Sequence, residues 1–175
     1  MIDDMLQSGL VHKAIKGLPR EYESLVKMCN QYRDSGGALL IVDDGLSQVQ
    51  SYLPTIVEEL TNREKATFIF VTQNTFLNSD TYRRMSEQMH YIIAMKNVRN
   101  GLKIRHLAMQ VRPCNPQFII QAYYDSIKLK ATLDRPGYGY LVMDMLPYTS
   151  EITSVRSNIF PNEIEPICVY KEIKN

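Results

Sequence analysis

Cysteine is scarce in this chain: Cys29, Cys114 and Cys168 are an odd number, far apart, with no C-x-x-C spacing. That excludes a disulfide framework, gives no support to a thiolate metal site, and leads us to expect a reducing intracellular compartment. An excess of charge of one sign is also missing. The formal net charge is +1 over 175 residues, so no whole-chain field draws in nucleic acid or a membrane, and any nucleic-acid contact must come from a local patch. No apolar run approaches bilayer-spanning length, and the acidic start Met1-Ile2-Asp3-Asp4 is not a signal peptide, so a soluble protein without a membrane partner is expected. His12, His90 and His106 are scattered and lack metal spacing such as H-E-x-x-H. The length fits one domain, residues 1–175, with a hydrophobic core of its own.

The most informative segment that is present is Ala38-Leu39-Leu40-Ile41-Val42-Asp43-Asp44, an apolar run closed by two carboxylates. Flanked by Gly36-Gly37 and Gly45, it reads as a buried strand of a parallel sheet. Acids at the carboxyl end of such a strand lie where open α/β sheets bind ligands. They have the form of a Walker B element, in which the first acid holds Mg²⁺ and the second polarises the attacking water. A plainer reading is a strand end followed by a helix N-terminus, where the dipole favours acids. No G-x-x-x-x-G-K-[ST] occurs in these residues, so the chain has half of a nucleotide site. A phosphorelay receiver would need an acid at the end of a later strand; the next two runs end in Thr72-Gln73 and Met95-Lys96, which excludes it.

Further runs at Thr67–Thr72, Tyr91–Met95 and Gly139–Asp144 also read as strands. Helical spacing covers a face of Tyr22, Leu25, Val26, Cys29 and Tyr32, a stretch from Gln48 to Leu60 interrupted by Pro54, Leu102–Val111, and Pro116–Leu129 with Asn115 as cap. Asn78–Gln88 reads as a loop with a short helix, and residues 152–175 as edge strands or a strand pair. Strands alternating with helices predict an α/β domain: a three-layer P-loop NTPase-like architecture with a mostly parallel sheet, its first strand and P-loop missing from these residues.

Parallel strands ending side by side would set Gln73 and Asn74 near Asp43 and Asp44, where an amide can both donate to and accept from a water or a γ-phosphate oxygen. Arg83, Arg84 and Arg99 are candidates for a cation acting in trans on the transferred phosphoryl group. Tyr123, Tyr124, Tyr138, Tyr140 and Tyr148 read as core or rim rather than as base-stacking platforms. Lys128, Lys130 and Arg135 form a modest basic cluster.

Several segments in this order resemble the genome-packaging ATPases of the FtsK–HerA superfamily, of the Maverick/Polinton and large double-stranded DNA virus type. They are Gly17–Pro19, Leu39–Asp44, Phe70–Phe76, Tyr91–Asn100, Leu107–Pro113, Tyr138–Asp144 and Arg156–Pro161, spread over roughly residues 17–170. The resemblance implies an ATP-driven, Mg²⁺-dependent homo-oligomeric ring, usually a hexamer, that pumps double-stranded DNA into a capsid through its portal or vertex. Such a protein would act in the host cytoplasm or nucleus at virion assembly sites. It implies Asp43 as the Mg²⁺ ligand and Asp44 as the catalytic acid, Gln73 as the strand-end glutamine, and Arg83 or Arg99 as the arginine finger, with Arg83 favoured. The sequence departs from the family in lacking a Walker A segment, in reading Thr61-Asn62-Arg63 where Ser-His-His is frequent, and in carrying Asn100 in place of an Asp. The alternative is a non-catalytic, truncated or decayed homologue that keeps only oligomerisation or DNA-interaction surfaces; a conjugation or DNA-translocating pump is a third reading. If a central strand beside Ala38–Asp43 is missing, exposed edge amides and apolar surface should leave the isolated chain marginally stable or aggregating.

Overall fold

The computed structural model of the chain describes residues 2–17, 19, 21–43, 57–61, 65–73, 87–97, 101–129, 139–160, 163 and 166–172. The chain divides into two compact units, Met1–Gln88 and Met89–Asn175.

In the first unit α1 spans Ile2–Gln7 and α2 spans Tyr22–Asn30. Leu25 and Cys29, one turn apart on α2, are buried. A 3₁₀ turn at Arg33–Ser35 and two glycines in the left-handed region, Gly36 and Gly37 (φ +107° and +106°), lead into β1, Ala38–Asp43. A Cβ on Gly37 would lie 2.3 Å from the Lys65 carbonyl oxygen. That same oxygen accepts a hydrogen bond from the Ala38 N–H (3.3 Å) just before β2, Ala66–Val71, begins. β1 and β2 pair in parallel, from Ala38 opposite Ala66 to Asp43 opposite Val71.

Parallel neighbours need a crossover, and residues 57–61 of it are helical. Leu60 is buried with Leu25, Cys29 and Ala66, and Ala38, Leu40 and Phe68 pack against this cluster. Both helical segments therefore cover the same face of the strand pair. On the opposite face Leu39, Ile41, Ile69 and Val71 are 60, 59, 44 and 47 % exposed. The continuous apolar runs do not signify burial on both faces here: among the described residues this sheet has helices on one side only.

The second unit runs β3 (Tyr91–Met95), α3 (Gly101–Val111), α4 (Pro116–Leu129), β4 (Tyr140–Asp144), a 3₁₀ turn (Glu151–Thr153), β5 (Val155–Ser157) and β6 (Cys168–Val169). Asn115 caps α4, its Oδ1 accepting from the Phe118 N–H (3.3 Å), with Pro116 in the first turn where its missing N–H is no loss. The four strands form one sheet in the order β3-β4-β5-β6, antiparallel throughout, with β6 at its edge.

The expected three-layer, mostly parallel sheet is thus overturned: among the described residues two strands are parallel in one sheet, and four are antiparallel in another. The reason lies in the helix count. One helix between two strands carries the chain back to start a parallel neighbour, whereas the two helices α3 and α4 make an even number of traverses. β4 therefore starts at the end where β3 stops, and runs back along it. The Lys96 N–H donating to the Gly139 carbonyl (2.8 Å) ties those two ends together. β4 lies inside the sheet with α4 packed on it and is buried along its whole length; Leu141, Val142 and Met143 are 0, 1 and 1 % exposed. Among the described residues no helix is long and apolar enough to cross a membrane.

Candidate functional site

Asp43 closes β1 with an exposed side chain, opposite the last residue of β2. Gln73, also exposed, follows Val71 by two residues. Both lie at the carboxyl end of a parallel strand pair, offset by about 7 Å along the strand direction. The fold thus gathers these two at one sheet end. A carboxylate there can accept from water or ligate a hard cation, and an amide can donate to an oxygen and accept from a water.

Asp44, Asn74, Arg83, Arg84 and Arg99 lie outside the described residues. No group of three or more His, Cys, Asp or Glu among the described residues could hold a metal ion. Asp43 therefore offers a single described carboxylate. That suits Mg²⁺ arriving with a nucleotide, which uses one or two carboxylates plus the phosphates, and does not suit an all-protein metal cage. The cradle for a triphosphate is a different matter: no glycine-rich phosphate loop occurs in the 175 residues.

A second constellation, in the other unit, had no clear signal in the sequence. Asp144 ends β4 and is 9 % exposed. Its Oδ1 accepts from the Leu146 N–H (3.2 Å) and the Thr149 hydroxyl (3.0 Å), and its Oδ2 from Arg156 Nη2 (2.6 Å). A cleft of about 190 Å³ lies beside it, lined by Val111, Arg112, Ile119, Met145, Thr149 and Val155 among others. Arg112 pairs with Glu151 (3.3 Å) and Glu172 (2.9 Å) and lies over the Phe118 ring, 5.5 Å from its centroid. With Asp144, Arg112 and Glu151 all paired, the cleft reads as a joint between α3, α4, β4 and the tail.

Tyr140 extends that joint. Its hydroxyl donates to Glu163 Oε2 (2.5 Å) and accepts from the Ile159 N–H (2.9 Å). Burial first, and the Glu163 carboxylate second, push its pKa up to about 12. The Phe160 ring packs on Tyr140 at 5.3 Å, and the Phe160 N–H donates to the same Glu163 oxygen (3.0 Å). Asn158 takes a left-handed conformation (φ +58°) and donates from Nδ2 to the Pro166 carbonyl (3.3 Å). Residues 156–160, part of a segment that carried the resemblance, thus clasp β5 to its neighbours. The clue available in the sequence was an acid closing an apolar run with an arginine twelve positions on, a separation that periodicity does not register.

Tyr123 straps β3 to α4: its hydroxyl donates to the Met95 carbonyl (3.2 Å) and accepts from the Asn97 N–H (3.1 Å). Lys128 is exposed near the end of α4, while Lys130, Arg135 and Tyr138 lie outside the described residues. Comparison with family models, with curated proteins and with solved structures finds no match to this chain.

Proposed function

We propose that the chain belongs to an ATP-hydrolysing motor that moves double-stranded DNA, of the packaging type its sequence resembles. The observation that carries this reading is the parallel register of β1 on β2, which puts Asp43 and Gln73 at one strand end. In this reading Asp43 takes the Mg²⁺ that comes with ATP, and Asp44 polarises the attacking water. Gln73 hydrogen-bonds that water or a terminal phosphate oxygen. Arg83, ahead of Arg99, reaches the site of a neighbouring subunit in a ring, a hexamer in the usual form, which passes DNA through a capsid portal or vertex at assembly sites in the host. The phosphate loop has to come from a segment outside these residues.

That requirement is also the observation in favour of a second reading, a homologue without catalysis that keeps its oligomerisation or DNA-binding surfaces. Mg²⁺-dependent ATP hydrolysis separates the two. It should be measured on this chain and on a version extended upstream to include a Walker A segment, each with Asp44→Asn. The motor reading expects turnover from the extended chain alone, lowered about 10²-fold or more by Asp44→Asn. An extended chain that carries the loop and still does not turn over overturns it in favour of the second reading.

A further inference from the structure

Charge is unevenly distributed along this chain. No acid occurs between Glu87 and Asp125, while Lys96, Arg99, Lys103, Arg105 and Arg112 fall in that interval. With +5 there in a chain of +1, everything else carries −4. A near-neutral total therefore hides a basic segment, and the fold puts part of it on show.

Lys96 is exposed immediately after β3, its backbone held on Gly139. Gly139 in turn lies against α4, where a Cβ on it would come within 2.6 Å of the Ile127 Cα. Lys128, the next residue of α4, is exposed. α3 begins beside the same helix, a Cβ on Gly101 lying 3.5 Å from the Tyr124 hydroxyl. The end of β3, the start of α3 and the end of α4 thus share one end of the second unit.

Along α3, Leu102, Arg105, His106 and Met109 recur at i, i+3, i+4 and i+7 and are all exposed, while Ile104, Leu107 and Ala108 face inward. No ion pair engages Arg105 among the described residues. Arg112, farther along, is already taken by Glu151 and Glu172, and Lys103 is half-buried. The single acid on the two helices is Asp125, about one turn before Lys128.

We infer that this end of the second unit, through Lys96 and Lys128 with Arg105 about one turn along α3, is the surface that meets the phosphate backbone of double-stranded DNA. The inference rests on the motor reading for its choice of polyanion. The charge rests on the residues themselves. The exposed positions of α3 carry no Phe, Tyr or Trp, and Tyr124 beside it, 40 % exposed, has its ring engaged edge-on with Tyr123, with centroids 5.5 Å apart. A single-stranded ligand would call for rings on which bases stack, whereas a duplex backbone asks only for spaced cations.

The test is the fluorescence anisotropy of a short labelled duplex titrated with this chain over a series of salt concentrations, without ATP. The triple variant Lys96→Gln/Arg105→Gln/Lys128→Gln should weaken binding at low salt about ten-fold or more. It should also lower the slope of log affinity against log salt by about 2.7, roughly 0.9 for each phosphate no longer neutralised. The control Lys13→Gln/Lys16→Gln/Lys27→Gln removes the same charge from exposed positions of the first unit and should leave affinity and slope near wild type. Circular dichroism confirms that each variant is folded. Equal losses from the two triples, no duplex binding by the parent chain at low salt, or displacement of the duplex by polyglutamate more readily than by unlabelled DNA would each overturn the inference, the last in favour of an acidic protein partner. ATP turnover by the extended chain is scored separately: absent turnover with the duplex result intact counts against the motor reading, and the converse against this surface.

Discussion

Leu39 in β1 and Leu141 in β4 are the same residue type in strands with similar apolar sequences, yet one is 60 % exposed and the other fully buried. The contrast follows from what lies between the strands. Among the described residues, the helical segment 57–61 between β1 and β2 and α2 both cover one face, and Leu39, Ile41, Ile69 and Val71 on the other are left to solvent. β4 has a strand on each side and α4 across it. An apolar run shows that a strand will form; the number of elements stacked on it decides how many of its faces are dry.

The largest expected effect tests that contrast directly. Leu141→Ala should cost about 3 kcal/mol in urea unfolding through reduced burial and a cavity, while Leu39→Ala should stay within about 0.5 kcal/mol of wild type. Similar costs at the two sites would mean that something covers the face of β1, and the comparison would break.

Next in size is the joint around Asp144. Arg156→Met leaves a nearly buried carboxylate without its cation and should cost about 2–3 kcal/mol, less than for a fully buried pair because the arginine side chain is 28 % exposed. Adding Asp144→Asn to that variant should recover part of the loss. If the double variant is as unstable as the sum of the singles, the pair is not what holds β5 to β4.

The smallest effect is read from the pH dependence of stability. The Tyr140 phenol titrates near 10 when unfolded and about 12 when folded, so its contribution is fully present below pH 10 and fades as pH rises toward 12. Wild type should therefore lose stability over that window, and Tyr140→Phe should flatten the loss. Tyr170, also raised by burial, contributes a slope of the same sign. At neutral pH the same variant should cost about 1 kcal/mol, because the phenol's hydrogen bonds go with it. An unchanged alkaline slope would place the titration elsewhere.

The strands at residues 38–43, 66–71, 91–95 and 140–144 were legible as apolar runs bounded by turn residues, and α3 and α4 as helical spacing with a cap at Asn115. Strand direction was not legible, because an apolar run reads the same way up or down. Among the described residues it follows from α3 and α4 being two helices rather than one. The shared strand end of Asp43 and Gln73 followed from parallel pairing of the first two runs. The Asp144–Arg156 joint did not, since partners twelve residues apart across a turn leave no periodic trace. Asp44, Arg83 and Arg99 lie outside the described residues, so their placement adds nothing to the comparison.

Gly37 has a reach beyond its own turn. Because Ala38–Asp43 is apolar on both faces, a one-residue slip of β1 along β2 would exchange Leu40 and Val42 for Leu39 and Ile41, hydrophobic for hydrophobic, and side-chain pattern would not resist it. The close approach of Gly37 to the Lys65 carbonyl resists it in one direction, since the slip that brings Ala38 to that place would drive a Cβ against the oxygen. A slip of two would keep the faces but carry Asp43 about 7 Å relative to Gln73. The alignment of two polar residues at the carboxyl end of the pair is therefore guarded in that direction from its amino end, by a residue with no side chain.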